Sequence, residues 1–268
     1  DIVRSIINDS AFDAGSYEGA INLGSALTGS YEMYAWNGRK PLHSVNFVTC
    51  HDGFPLYDVF SFDTQQNACG VLNPTCCDDP FSQWCDQESG EQHNRSRDWG
   101  TDGEAHKRQL MRNAFAALFL SHGTPMIFGG DEWMRTQYGN NNAYSTTADN
   151  EFNWFRWGEW RAYDERHRMM DFVSEMTAFR REHTTIFAPE NWGEGRPFAW
   201  KNANNEDLTD WSTKHLVQHY YTDDSDSDPE VVVIWNFETS DIEFQLPSER
   251  NWRRVVDTQA YFDTDEFL

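Results

Sequence analysis

His51 and Asp52 set an imidazole beside a carboxylate at the end of an apolar run. Ser44-Val45-Asn46-Phe47-Val48-Thr49-Cys50 leads into them, and Gly53 closes the cluster. A second run, Thr124 to Phe128, ends in the same manner, in Gly129-Gly130-Asp131-Glu132. Polar catalytic groups at the carboxyl ends of buried strands are how a parallel α/β barrel presents its chemistry. Taken alone, Asp52-Gly53 is equally a hairpin turn pair.

The elements between and after the two clusters decide how they are placed. A polar loop runs from Asp63 to Gly100. Thr101 and Glu104 then form a capping box that opens a helix over 104–122. Leu110, Met111, Ala114, Phe115, Ala117, Leu118 and Ser121 keep its helical repeat, and Gly123 ends it. Strand, loop, helix and strand make a βαβ unit, which predicts parallel strands, a right-handed crossover and both acidic clusters on one face. Beyond the second cluster, a loop from Trp133 to Tyr163 is dense in asparagine and aromatics. A helix from Asp164 to His183 follows, with Met169, Phe172, Val173, Met176 and Phe179 inward.

After Phe187 the pattern shortens. Runs at 197–201, 215–222, 230–237, 242–246 and 252–257 read as five strands of a small antiparallel β-domain. At the other end, residues 1–8 read as the tail of a helix, and the segment to Lys40 as helix fragments and loop. The expected division is therefore 1–187 and 188–268.

Composition narrows the partners. The net charge of −23 argues against nucleic acid or an anionic membrane surface, and no apolar run approaches the ~20 residues of a membrane span. The start, DIVRSIIND, has no signal-peptide pattern and opens in mid-helix. Lysine is scarce (Lys40, Lys107, Lys201 and Lys214), which fits either an ordinary acidic protein or a surface adapted to salt. Cys50 reads as a buried free thiol. Cys69, Cys76, Cys77 and Cys85 lack zinc-ligand spacing and are expected to form two disulfides in a surface loop, which favours an extracellular or periplasmic compartment. No residue set calls for a metal or cofactor; the run from Asp223 to Asp228 reads as solvated loop rather than a calcium site.

The motifs SVNFVTCHDGFPLYDVFSF, SHGTPMIFGGDEWMRTQYGNNNAY and DNEFNWFRW together resemble the isoamylase and glycogen-debranching branch of the α-amylase superfamily. The resemblance reaches from the helix at Asp1-Ile2-Val3-Arg4 to the segment EVVVIWNFETSDIEFQLP…WRRVVDT, nearly the whole chain. It implies a retaining hydrolase of α-1,6 branch linkages in glycogen- or starch-like glucans. In that mechanism one Asp attacks the anomeric carbon, a Glu protonates the leaving oxygen, and a second Asp stabilises the oxocarbenium-like transition state. By resemblance Asp52 is that second Asp, and His51 the histidine that hydrogen-bonds the sugar.

The resemblance also implies what is missing. No Gly-Phe-Arg-x-Asp nucleophile motif is present, and neither Glu190-Asn191-Trp192 nor Glu159-Trp160 ends an apolar strand as the acid should. The implied fold is the carboxyl-terminal part of a (β/α)8 TIM barrel, from after its sixth strand, followed by an antiparallel β-sandwich domain. The implied partners are a branched α-glucan and the missing amino-terminal half. Trp133, Arg135, Tyr138 and Asn141 are the candidate substrate-binding residues, and Tyr144, Trp154 and Trp157 are further aromatic rings that suit a pyranose face. Each has a plainer role open to it, in packing, or in turn capping for Asn140-Asn141-Asn142. Asp131 and Glu132 read as structural acids of the barrel rim. Two other functions stay open: a related α-glucan hydrolase or transglycosylase, and a non-catalytic carbohydrate-binding accessory fragment.

Overall fold

The computed structural model describes residues 2–8, 18–68, 88–100, 103–143, 152–193, 195–222, 229–238 and 240–259, without the side chains of 18–22, 159 and 160. The cysteine-rich loop, Thr101, Tyr144 and the run from Asp223 to Asp228 lie outside these residues.

The two long helices fall where the apolar repeat places them, while three short ones, Leu56–Val59, Trp157–Arg161 and Thr184–Phe187, lie outside the helices that the sequence predicts. α1 (Ile2–Ile7) and α2 (Glu18–Leu27) precede the short α3 (Tyr31–Tyr34), and α4 (Leu56–Val59) follows the His51–Asp52 turn. The two long helices are α5 (Gly103–Phe119) and α7 (Asp164–Glu182), with α6 (Trp157–Arg161) and α8 (Thr184–Phe187) on either side of α7. α7 buries Met169, Phe172, Val173 and Met176, the expected inner face. Each such side chain contributes roughly 1.5–3 kcal/mol on leaving water, so packing more than intrinsic propensity sustains the helix.

The β-structure is shorter than the sequence predicts. β1 (Val45–Asn46) and β2 (Thr124–Pro125) pair in parallel, Val45 opposite Thr124 and Asn46 opposite Pro125. The expected direction holds, but each run has two ladder residues. Val45, Phe47 and Met126 are 51%, 47% and 38% exposed, so no further strand among the described residues covers this pair. Gly123 makes the close approach possible: its φ is +115°, and a Cβ there would stand 2.7 Å from the Ser44 carbonyl oxygen.

β3 (Phe198–Lys201), β4 (His215–Tyr220) and β5 (Val231–Asn236) form one antiparallel sheet in that order. The two later runs, 242–246 and 252–257, are not strands. Residues 242–245 keep the in–out alternation of an extended chain, with the Gln245 amide bonded to the Ala203 carbonyl at 2.8 Å, but no ladder forms. The 240–257 segment instead lies over the outer face of β4, where Phe244 meets His215 edge-on at 5.9 Å and Trp252 meets His219 at 6.0 Å. A three-stranded sheet under a strandless cover thus stands where the sequence predicted five strands.

Helices and sheet share one core. Phe54, Met111, Met169, Phe172, Phe187, Leu216 and Tyr220 are buried in a single cluster. Arg180 locks the layers: its Nη1 donates to the carbonyls of Phe119 and Ser121 at 2.6 Å, and its Nη2 to those of Gly123 at 2.5 Å and Phe187 at 2.8 Å. The planar guanidinium is suited to such a fork of acceptors at the carboxyl end of α5. A buried polar chain crosses between layers. Trp235 Nε1 donates to Gln218 Oε1 and Gln218 Nε2 to Tyr220 Oη, both at 3.1 Å, and Tyr220 Oη lies 3.4 Å from His122 Nε2. Burial, with the nearby Arg180 charge, pushes His122 down to about 4.

Candidate functional site

A cleft of about 280 Å³ opens where the chain leaves β1 and β2 at their carboxyl ends. His51, Phe128, Arg135, Gln137, Asn153 and Phe155 are among its lining residues. His51 and Phe128 each follow one of the two parallel strands, so strand direction alone brings them to a common mouth. His51 Nε2 is 3.5 Å from Asp52 Oδ2, and both side chains stand in the open, 77% and 68% exposed. Cys50 contributes a half-buried free thiol, and its Sγ lies with the His51 and Asp52 donor atoms within 4.8 Å. Adjacency in the chain accounts for that grouping.

Beneath the cleft lie two buried carboxylates. Asp131 accepts the Thr49 hydroxyl on Oδ2 and the Leu56 amide on Oδ1 at 2.8 Å. Asp58, in α4, accepts the Thr136 hydroxyl at 2.5 Å and the amides of Gln137 and Gly139 at 2.8 and 3.1 Å. Burial raises Asp131 to about 7 and Asp58 to about 6, against the pull of those hydrogen bonds and of Arg135. Glu132 turns back to cap the Gly130 amide at 2.9 Å.

Arg135 is the cation of this layer. Its guanidinium carbon sits 5.1 Å from the Phe128 ring centre and 5.7 Å from that of Phe155, and Nη2 donates to the Phe152 carbonyl at 3.3 Å. Its Nε is buried with no hydrogen-bond partner. Gly130, at φ +102°, leaves room for the Arg135 stem; a Cβ there would fall 2.6 Å from Arg135 Cδ.

The other candidates are placed apart from the cleft lining. Trp133 is half-buried, edge-on to Trp157 at 6.4 Å and His167 at 5.5 Å. Tyr138 takes a positive φ of 53° and meets Phe152 edge-on at 5.7 Å, with Arg156 over its ring at 5.5 Å. Asn141 is 1% exposed. Its Nδ2 donates to the Glu91 carbonyl and to Asn94 Oδ1 at 2.7 Å, and its Oδ1 accepts from Asn67 at 2.8 Å. Both N–H donors of that amide are thus engaged in pinning the 88–100 loop, and its oxygen in holding Asn67. Trp154 and Trp157 are 52% and 47% exposed.

Sequence reasoning missed Asp58, Asn67 and Asn94. Asp58 lies in Leu56-Tyr57-Asp58-Val59, which reads as a helix turn with one outward acid. The apolar residues on both sides of it were the available signal, since a carboxylate buried among them needs several donors.

No family model matches the chain. It is similar to a glycogen operon protein GlgX homolog of Mycobacterium tuberculosis, 31% identical over 267 residues, covering 87% of this chain and 34% of that protein. Isoamylase of Flavobacterium sp is 31% identical over 260 residues, covering 89% and 31%, and chloroplastic isoamylase SU1 of Zea mays 31% over 268 residues, covering 96% and 30%. The chain thus spans about a third of the length of these curated relatives. Among solved structures it resembles a pullulanase from Bacillus acidopullulyticus, with a TM-score of 0.58 at 19% identity over 92% of this chain and 25% of that one. A pullulanase from Paenibacillus barengoltzii, solved with maltohexaose and alpha-cyclodextrin, gives 0.57 at 20% identity over 92% and 31%. At such identities the structural likeness concerns the fold.

Proposed function

We propose that this chain, a homologue of the isoamylase and GlgX branch of the α-amylase superfamily, is the carboxyl-terminal part of a retaining α-1,6-glucan debranching glycosidase. Residues 1–187 are its share of the (β/α)8 barrel and 188–268 its β-domain. The supporting observation is the cleft at the carboxyl ends of two parallel strands, with His51 on its lining and Asp52 beside it.

Asp52 acts as the transition-state carboxylate. The bound sugar is neutral, and positive charge develops at the anomeric centre as the ring flattens. A fixed carboxylate there favours the transition state over the substrate, which raises kcat. His51 offers a ring nitrogen to a sugar hydroxyl in both states and so acts partly through binding. Arg135 and Gln137 supply further donors on the cleft wall, and Phe128 and Phe155 an apolar one. The nucleophile and the acid belong to barrel strands outside this chain, so hydrolysis of a branched glucan requires that half as well.

The test is steady-state kinetics of the assembled enzyme on a branched glucan. Asp52→Asn should lower kcat by roughly 10²–10³ with KM nearly unchanged, the signature of a lost transition-state interaction. Retention of more than about a tenth of kcat would remove Asp52 from that role.

A further inference from the structure

We infer that Asp131 is a positioning residue for the His51–Asp52 pair, holding both ends of the turn that carries it; the inference rests on the catalytic reading of Asp52. Thr49 and Leu56 flank residues 50–55, and one carboxylate binds both, the Thr49 hydroxyl on one oxygen and the Leu56 amide on the other. The turn itself lies outside helix and strand. The His51 and Asp52 side chains are too exposed for packing to fix them directly, so their place over the cleft follows from the turn's backbone, which the buried Phe54 seats in the core and Asp131 ties at both ends.

Asp131 is a fit anchor. It is 1% exposed and sits in the single-turn helix Asp131–Trp133. That turn is fastened in its own right, because Arg166 of α7 donates through Nη1 to the carbonyls of Trp133 and Met134, both at 2.9 Å. Position therefore passes from α7 to Asp131 and across to the turn. A displacement of about 1 Å in a reacting group can lower a rate by roughly 10²-fold, so a tie of this kind acts on kcat without touching substrate.

The two contacts predict an ordered set of variants. In Asp131→Asn the amide oxygen still accepts from Leu56, and the Thr49 hydroxyl can reverse to accept from the amide nitrogen; the turn keeps its place. Asp131→Ala loses both ties and leaves a buried amide unpaired. Thr49→Val keeps the β-branched shape and removes one tie.

The experiment compares these variants with Asp52→Asn in the assembled enzyme, by kcat and KM on a branched glucan and by amide hydrogen exchange across 50–56. Thr49→Val should lose about tenfold in kcat with KM changed by less than about twofold. Its turn should exchange faster while α7 is unaffected. Asp131→Asn should stay within about threefold of wild type, and Asp131→Ala, where it folds, should fall below Thr49→Val. A folded Thr49→Val with wild-type kcat and wild-type exchange across the turn overturns the inference. Should Asp52→Asn keep its activity, the catalytic reading fails instead, and the exchange measurement still judges the tie by itself.

Discussion

Asp58 Oδ1 lies 2.5 Å from the Thr136 hydroxyl, joining the helix after the His51–Asp52 turn to the loop that carries Arg135 and Gln137. The same carboxylate also accepts the Gln137 and Gly139 amides, so one side chain satisfies three donors in a site closed to water. Asp58→Ala strands all three, at about 1–3 kcal/mol each. The expected result is a loss of more than about 3 kcal/mol in chemical denaturation of the assembled protein. Asp58→Asn, which can still accept the two amides and donate to Thr136, should lose much less.

Acid stability should report Asp58 and His122 with opposite signs. Asp58 rises from 3.8 unfolded to about 6 in the fold, because burial disfavours its charge. Its contribution is complete below pH 4 and is lost as pH rises through 6. His122 falls from 6.5 to about 4, so its contribution is complete above pH 6.5 and is lost as pH falls through 4. Each limb is worth up to about 3 kcal/mol. Relative to wild type, Asp58→Asn should gain stability as pH rises from 4 to 6, and His122→Gln should lose it. Parallel curves for both variants and wild type would contradict the burial argument.

Arg180 gathers four backbone carbonyls. Arg180→Lys keeps the charge but cannot match the planar fork, and its three donors leave at least one of the four buried acceptors unpaired. At about 1–3 kcal/mol per unpaired group the variant should melt well below wild type, and Arg180→Met lower still. An unshifted Tm for Arg180→Lys would mean that water reaches those carbonyls.

Residues 1–268 expressed alone should aggregate or stay molten. Val45, Phe47 and Met126 face outward around a two-strand ladder whose outer edges pair with no other strand among the described residues, an arrangement that invites edge association. Co-expression with an upstream barrel half should restore solubility. A monomer that melts cooperatively without a partner would refute the barrel placement.

How much the sequence revealed depended on how local each feature is. α7 was legible because Met169, Phe172, Val173 and Met176 repeat within one segment. The parallel pairing of β1 and β2 followed from a strand, a long helix and a strand in succession. Strand lengths were not legible, since pairing needs a neighbour and the β-rich runs near Ile242 and Trp252 carry no sign of whether one exists. The asparagine run was ambiguous for the same reason: Asn141 is engaged by Asn67, Asn94 and Glu91, residues that lie far from it in the chain. Asp131 was legible as a structural acid, but its two partners were not.

The bonds that fix the site share an uncommon topology. Thr49–Asp131, Leu56–Asp131 and the three bonds of Asp58 join residues 75 to 82 positions apart, all across the same stretch of chain. Bringing the ends of such a stretch together costs roughly 4 kcal/mol in chain entropy, and the first bond to form meets that cost for the rest. The five contacts should then appear and vanish as one unit during folding. The β4–β5 pairing closes a much shorter stretch and can form early. The His51–Asp52 turn would be among the last parts of the molecule to acquire its shape, and among the first to lose it on heating.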